Sequence, residues 1–221
     1  HITGTAGVFG AAAASGKLLG LSEQQMVWAI GIASTQSAGL KEMFGTMCKP
    51  FHPGRAAQNG LTSAFLASKN FTSTERGIEA PQGFAFTMSD EQDFSQITND
   101  LGNSFEVTRN TYKPFACGIV THPAIDGCIQ LRNNNDLKSS DIASVTLRVN
   151  SLVLKLTGKT KPRTGLEAKF SIYHACSVAI IYGSAGPKEY TDKTANDLEV
   201  VSLRDRVTAK ADESVSEEEA F

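Results

Sequence analysis

The sequence predicts an α + β fold, in which an all-α part over residues 1–105 is followed by a smaller mixed α + β part over residues 106–221. Three observations indicate this class. Apolar side chains recur at helical spacing through the first 70 residues. Residues 142–150 alternate apolar and polar side chains, which is typical of a half-buried strand. Apolar helical segments stand on both sides of this strand, so helices and a few strands are interleaved.

Three helices are expected in the first part. The first covers residues 5–19, where alanine predominates and glycines allow a close approach of backbones. These glycines are Gly4, Gly7, Gly10 and Gly16. Ser22 and Gln25 form a capping-box pattern, so the second helix is expected to begin there. The third helix is expected over residues 53–69, with Pro53 in its first turn, where proline is tolerated.

The remaining elements follow from the same rules. Residues 71–110 are rich in turn-forming residues and predict a connecting region with one short helix over residues 93–101. In the second part, Pro123 is expected to open a helix and Gly183 to end a buried one. The expected elements there are helices over residues 121–131, 170–182 and 198–206, strands over 142–150 and 207–211, and an ambiguous segment over 152–156.

The composition is that of an ordinary globular protein, with 41% hydrophobic and 20% charged residues. A net charge of −2 provides no field that would attract nucleic acid or an anionic membrane. No apolar run reaches the roughly 18 residues of a membrane span, and no signal peptide is visible. We therefore expect no nucleic-acid or membrane partner, and a cytoplasmic protein, or a mitochondrial one in a eukaryote.

The four cysteines predict neither a zinc site nor a disulfide framework, because they show no C-x-x-C spacing and no dense clustering. Reduced thiols are expected. The two ends of the sequence indicate a piece of a larger protein or a truncated chain. It begins at His1 without a methionine, and it ends in the acidic residues 217–221 without a closing element.

Two segments of the chain repeat the order Lys-Pro-Phe followed by His-Pro. The first places Lys49, His52 and Arg55 beside the expected start of the third helix. A helix N-terminus offers free N–H groups and a positive dipole, so this segment is a candidate site for a carboxylate or a phosphate. The alternative is a solvated loop with incidental basic residues.

The second of these segments contains Lys113, Cys117 and His122. Histidine has an ordinary pKa near neutrality, so His122 beside a lysine is a candidate acid/base group. The alternative is that His122 only opens a helix and that Cys117 is a small buried side chain. A third candidate is Tyr173, beside His174 in an apolar helix, and its alternative is a core residue with local hydrogen bonds.

Four segments, taken in order, carry a resemblance to a known family. They read H-I-T-G-T-A-G-V-F-G-A-A-A-A over residues 1–14, K-P-F-H-P-G-R-A-A-Q-N-G over 49–60, K-P-F-A-C-G-I-V-T-H-P-A-I-D over 113–126 and G-L-E-A-K-F-S-I-Y over 165–173. With these segments the chain resembles the MmgE/PrpD family, which includes 2-methylcitrate dehydratase, cis-aconitate decarboxylase and an iminodisuccinate epimerase. The resemblance spans nearly the whole chain.

The resemblance implies a large all-α domain, incomplete in this chain, and a smaller α + β lid domain, with the active site between them. It implies a homodimer that binds a small polycarboxylate and needs neither a cofactor nor a metal. The residues that match the catalytic positions are His1, Lys49, Lys113 and Tyr173, and those expected to bind substrate are His52, Arg55, Cys117 and His122. His1 matches the histidine implicated in proton transfer, and Lys113 matches the lysine at the lid entrance.

The implied chemistry is that of a lyase that transfers a proton next to a carboxylate of a small di- or tricarboxylate. Dehydration of a 2-methylcitrate-like acid, in propionate metabolism, is the first expectation. One departure counts against a cis-aconitate decarboxylase, because the chain has Cys117 where some decarboxylase-like members have a histidine. The alternatives are decarboxylation of cis-aconitate, epimerisation of iminodisuccinate, or a catalytically silent oligomerisation module.

Overall fold

The computed structural model describes residues 1–216, and the acidic residues 217–221 noted in the sequence lie outside the described residues. The chain forms two compact units. The first contains residues 1–43 and 47–110, and the second contains residues 44–46 and the chain from residue 111 onward. Most of the described chain is helical and one small sheet is present, so the predicted α + β class is confirmed. The assignment of the two parts to a helical domain and a lid stays a prediction.

The first unit consists of helices and turns over residues 1–43 and 47–110. Its α-helices are α1 (Ile2–Leu18), α2 (Glu23–Ser34), α3 (Cys48–Ser68), α4 (Phe84–Met88) and α5 (Ser95–Thr98), with 3-10 turns at Lys41–Met43 and Glu106–Arg109. The capping box predicted for α2 is confirmed. The Ser22 side chain accepts from the Gln25 main-chain N–H at 3.3 Å, and the Gln25 side chain accepts from the Ser22 N–H at 3.1 Å.

Helices α1 and α3 approach each other closely, as the small residues predicted. Val8 and Ala12 of α1 are fully buried. A Cβ atom on Gly60 of α3 would lie 2.4 Å from the Cβ of Ala11, a separation that real side chains do not adopt. The prediction of close contact is wrong for Gly10, where a Cβ atom would meet nothing within 4 Å.

Helix α3 begins five residues before the predicted start, and this is a correction. Pro50 is its third residue, where proline is tolerated because the first N–H groups of a helix have no intrahelical partner. Pro53 therefore lies in the second turn rather than the first. It has no N–H, so the Lys49 carbonyl receives no bond from it. His52 lies inside the helix instead of preceding it.

The connecting region contains two short helices. Helix α5 lies within the predicted segment over residues 93–101, whereas α4 was not predicted. The sequence of α4 is only five residues long, and Gly83 precedes it without a side-chain cap. A segment this short carries too little periodicity to predict a helix.

The second unit packs its helices around α9 and against a two-stranded sheet. Its elements are α6 (His122–Asn135), β1 (Val145–Val149), α7 (Ser151–Thr157), α8 (Gly165–Ala168), α9 (Ile172–Tyr182), α10 (Asp192–Ala195), α11 (Leu198–Arg204) and β2 (Val207–Ala211), with 3-10 turns at Ile119–Thr121, Ser139–Asp141 and Pro187–Tyr190. Both predicted strands are confirmed and pair in parallel, from Val145 opposite Val207 to Val149 opposite Ala211. Nearly all of α9 is buried, and it ends at Gly183 with φ +65°, as predicted.

The ambiguous segment over residues 152–156 forms helix α7. The Asn150 side chain accepts from the Leu152 N–H at 2.9 Å and caps the start of this helix. From residue 1 to residue 216, no helix is both long enough and apolar enough to cross a membrane.

Candidate functional site

The first unit contains a cavity of about 500 Å³ next to the segment that carries His52 and Arg55. One wall is α3, which contributes these two side chains and that of Asn59. The opposite wall is the turn after α2, which contributes Gln36 and Gly39. The Asn59 amide nitrogen donates to the Gln36 carbonyl at 3.2 Å, so the two walls are joined at the base of the cavity.

The imidazole of His52 accepts a hydrogen bond from the turn opposite. The Leu40 N–H donates to His52 Nε2 at 3.3 Å, and an atom that accepts such a bond carries no proton. In the neutral ring the proton therefore lies on Nδ1. His52 Nδ1 is buried and has no hydrogen-bond partner within the described chain. This nitrogen is consequently left as a donor for a neighbouring group or a ligand.

His1 and His52 lie side by side. Their ring centroids are 4.6 Å apart and their planes are inclined by 30°. Gly39 brings them together, because its main-chain oxygen accepts from the His1 main-chain nitrogen at 3.0 Å. A Cβ on Gly39 would lie 3.1 Å from His52 and 3.3 Å from His1, and its φ of +155° already favours glycine.

The two basic candidates near this cavity differ in their surroundings. Arg55 is exposed and lines the cavity, and its guanidinium donates to the Gln58 side chain at 2.8 Å. Lys49 is half-buried in the first turn of α3, and its ammonium has no hydrogen-bond or ion-pair partner among residues 1–216. Within the described part of the chain, Lys49 is not one of the residues that line the cavity. The structure therefore places His52 and Arg55 on the cavity and His1 against the His52 ring, whereas Lys49 does not line the cavity.

In the second unit, Lys113, Cys117 and His122 lie together around one main-chain carbonyl. The Lys113 ammonium donates to the Cys117 carbonyl at 3.3 Å. The His122 ring stands edge-on to the Phe115 ring, with centroids 5.2 Å apart. Burial lowers the pKa of His122, the charge of Lys113 lowers this pKa further, and the Cys117 carbonyl opposes both effects. His122 Nε2 is buried and has no partner among the described residues.

The thiol of Cys117 is buried, with 8% of the residue exposed. Its sulfur lies 3.2 Å from the Thr121 hydroxyl. Burial raises the pKa of this thiol, which makes its reactive thiolate form rare at neutral pH. Such a thiol is suited to packing and hydrogen bonding rather than to nucleophilic attack.

Tyr173 and His174 differ although they are neighbours on α9. Tyr173 is half-buried and packs on the core of the second unit. His174 is fully buried, and its Nε2–H donates to the Glu189 carbonyl at 2.9 Å. Burial lowers the pKa of His174 to about 4, so the ring is neutral at pH 7. His174 is therefore a core residue with a local hydrogen bond.

The sequence of the first unit matches the MmgE/PrpD N-terminal domain over residues 1–97, and that of the second matches the MmgE/PrpD C-terminal domain over residues 115–220. This chain belongs to the MmgE/PrpD family. The predicted family is thereby confirmed.

Individual members of the family resemble the chain at lower identity. The cis-aconitate decarboxylase-like protein oryM of Aspergillus oryzae is 28% identical over 91% of this chain and 46% of its own length. A cis-aconitate decarboxylase of Aspergillus terreus is 25% identical over 96% of this chain and 47% of its own. The cis-aconitate decarboxylase of Mus musculus is 23% identical over 94% and 43%, respectively. The chain thus spans slightly less than half the length of these curated relatives.

Sequence reasoning missed several residues around these MmgE/PrpD segments. Gln36, Gly39 and Asn59 join the walls of the cavity, and Thr121 and Tyr190 surround the Cys117 thiol. None of them belongs to a segment rich in histidine or lysine, and only the capacity of Gly39 for positive φ was visible in the sequence. Over residues 1–216, no group of three or more His, Cys, Asp or Glu side chains is placed to hold a metal ion.

Proposed function

We propose that the protein is a lyase that removes CO₂ from a small tricarboxylate, with a cis-aconitate-like acid as its substrate. The observation that carries this proposal is the pair of imidazoles of His1 and His52, held at Gly39 beside a cavity that also contains Arg55. The names of the relatives support decarboxylation, since the three described above are cis-aconitate decarboxylases or a protein named as similar to them. They support it better than the dehydration of a 2-methylcitrate-like acid that the sequence first suggested.

The reaction requires one proton and a place for negative charge. The bond between carbon and a carboxylate breaks, CO₂ leaves, and the electron pair stays on the carbon framework. A proton from an acid then takes the place of the carboxylate, so a tricarboxylate becomes a dicarboxylate. A positioned histidine delivers such protons at neutral pH, and cationic side chains stabilise the charge that develops before the proton arrives.

We assign these tasks to the two imidazoles on the basis of the contact between Leu40 and His52. Because the Leu40 N–H donates to His52 Nε2, we assign His52 the role of a hydrogen-bond donor to the substrate through Nδ1. Delivery of the proton is assigned to His1, the role that the resemblance implies for it. Arg55 lines the cavity and supplies a positive charge for a remaining carboxylate.

The other predicted site residues stay proposals drawn from the resemblance. Lys49, Lys113 and Tyr173 are proposed to act on the same substrate, and Cys117 and His122 are proposed to belong to the surroundings of Lys113. A homodimer is likewise a proposal, and light scattering of the purified protein tests it.

A substrate panel tests the proposed reaction. The full-length protein is incubated with cis-aconitate, 2-methylcitrate and iminodisuccinate, and loss of each acid is followed by NMR together with release of CO₂. We expect CO₂ from cis-aconitate. Loss of water from 2-methylcitrate without release of CO₂ would show that the reaction is dehydration and not decarboxylation. Inversion of iminodisuccinate would show that it is epimerisation. Turnover of none of the three would favour a catalytically silent module.

Variants test the assigned roles. Because general acid catalysis contributes roughly 10²–10⁴-fold, His1→Ala is expected to lower kcat by at least about 10²-fold. Arg55→Ala is expected chiefly to raise KM. Lys188→Ala removes a charge from a separate exposed turn and is the matched control. Circular dichroism must show the same helix content in all variants, and an unchanged kcat in His1→Ala would exclude His1 as the proton donor.

A further inference from the structure

The buried thiol of Cys117 belongs to a chain of hydrogen bonds whose direction can be assigned. The Thr121 hydroxyl donates its single proton to the Gly118 carbonyl at 2.8 Å. The contact of 3.2 Å between this hydroxyl and the Cys117 sulfur must therefore use the thiol proton. Thr121 is fully buried, so its hydroxyl forms these hydrogen bonds without competition from solvent.

Tyr190 encloses the thiol from another side. Its hydroxyl is buried and makes no hydrogen bond of full geometry within the described chain, but it lies close enough to the Cys117 thiol to influence the titration of both groups. The position of Tyr190 is fixed by its neighbour in sequence, because His174 donates to the Glu189 carbonyl. The His174 and Tyr190 rings are 5.5 Å apart. The core histidine therefore supports the wall of this cluster.

The peptide unit that follows Cys117 is fixed as well. The Gly118 N–H donates to the Lys169 carbonyl at 3.0 Å, and a planar peptide directs the Cys117 carbonyl in the opposite direction. The Ala116 N–H donates to the Ala185 carbonyl at 3.0 Å, which holds the chain one residue earlier. A Cβ on Gly118 would lie 2.9 Å from a Thr157 methyl group, so any side chain at this position would collide with Thr157.

The fixed carbonyl is the point where Lys113 and His122 meet. It accepts from the Lys113 ammonium, and it favours the protonated form of His122 against burial and the neighbouring lysine charge. We propose that Thr121, Tyr190 and the Cys117 thiol are positioning residues. They hold the side chain of Cys117, and with the flanking main-chain bonds they place the carbonyl that orients the Lys113 ammonium and the His122 imidazole. This inference rests on the proposed function of Lys113 and His122, and it gives Cys117 a structural role within the site in place of the substrate-binding role that the resemblance implies.

The test uses conservative variants of the full-length protein. Thr121→Val and Tyr190→Phe remove a hydroxyl while keeping the shape of the side chain, and each is expected to lower kcat/KM roughly tenfold through a small misplacement of Lys113. Cys117→Ser keeps a donor toward Thr121 and is expected to stay within about threefold of the parent, whereas Cys117→Ala is expected to fall like Thr121→Val. The matched controls are Thr146→Val and Tyr182→Phe, which alter exposed side chains of the same unit.

Two readouts separate positioning from a general loss of stability. In a Lys113→Ala background, Thr121→Val is expected to cause no further loss, because its effect passes through the missing lysine. The midpoint of the His122 imidazole titration, followed by NMR, is expected to fall in Thr121→Val, since the carbonyl that supports the protonated form is displaced. It is expected to stay unchanged in Thr146→Val.

The outcomes distinguish failure of this inference from failure of the proposed function. If no acid is turned over but the His122 midpoint moves in Thr121→Val, the proposed function fails and the positioning role stands. If the protein turns over its substrate while the His122 midpoint is unchanged, or the losses in Thr121→Val and Lys113→Ala add, the positioning role is overturned. Full activity of Cys117→Ala would overturn it too.

Discussion

The contact between α1 and α3 provides the sharpest test of the packing in the first unit, through the substitution Gly60→Ala. The added methyl group would lie 2.4 Å from the Ala11 Cβ, 2.6 Å from the Ala12 nitrogen and 2.7 Å from the Val8 oxygen. Two of these three atoms belong to the main chain and cannot rotate away. The two helices would have to separate by about 1 Å to restore ordinary contact distances.

The change in the free energy of unfolding caused by Gly60→Ala follows from two opposing contributions. Alanine in a helix interior is more favourable than glycine by about 1 kcal/mol. Overpacking of a close-packed core costs typically 1–3 kcal/mol, and the contact atoms here are mostly backbone, which places this site at the upper end. Separation of the helices would also loosen Val8 and Ala12, which are fully buried between them. We expect a net loss of about 1–2 kcal/mol in the free energy of unfolding.

The control is a glycine-to-alanine substitution at another position of α3. A Cβ on Gly54 of α3 would meet nothing within 4 Å, so Gly54→Ala is expected to stabilise the protein by up to about 1 kcal/mol. Chemical denaturation followed by circular dichroism measures both changes, which should differ by about 2–3 kcal/mol. Equal stability of the two variants would refute the close approach of α1 and α3.

Three further predictions follow from the described residues. Burial lowers the pKa of His174 from 6.5 to about 4. As the pH decreases, the unfolded chain therefore binds a proton at His174 at a higher pH than the folded chain does. The free energy of unfolding should fall by at most about 3 kcal/mol between these two pKa values. His174→Gln should flatten this part of the pH profile of unfolding, and an unchanged slope would contradict the assignment. Ser22→Ala should cost about 1 kcal/mol in denaturant unfolding because it removes one half of the capping box with Gln25, while no loss would mean that the box contributes nothing. Ellman's reagent should titrate one thiol in the native protein, that of the exposed Cys48, and all four in denaturant; rapid reaction of a second native thiol would show that the core of the second unit is open.

The elements that were predicted well depend on interactions that are local in sequence. Ser22 and Gln25 satisfy each other's main-chain donors within one turn, so no distant residue is needed to start α2. The alternation of apolar and polar residues that predicted β1 matches the structure, in which successive side chains of the strand are half-buried and exposed. Gly183 ends α9 because glycine adopts the required φ of +65° without a steric penalty.

The errors arise where a local rule competes with packing. Proline at position 53 suggests the first turn of a helix, but the chain accommodates it in the second turn, and α3 begins at Cys48. Gly10 looks like a contact glycine, yet a Cβ atom there would meet nothing within 4 Å. Periodicity places residues on faces of a helix, but it does not say which face meets a neighbour.

In the candidate site, the sequence likewise revealed the side chains but not their hydrogen-bond partners. The segments with His52 and Lys113 were found from the sequence, because histidines beside lysines are chemically distinctive. Their partners were not, because the Leu40 N–H and the Cys117 carbonyl are main-chain groups that every residue type offers. Cys117 itself was open between a substrate contact and a packing residue, and its burial now favours the latter interpretation.

By itself, the sequence determined the family and the α + β class, since these depend on residue types and their order, and it also supplied the candidate site segments. Only the tertiary structure decided that His1 lies against His52 at Gly39, and that the Leu40 N–H donates to Nε2 of His52. The physical reason is that tautomers and buried hydrogen bonds are set by atoms brought within about 3 Å of each other. These atoms come from His1 before α1, from α3 and from the turn after α2, and no local sequence pattern predicts their contact.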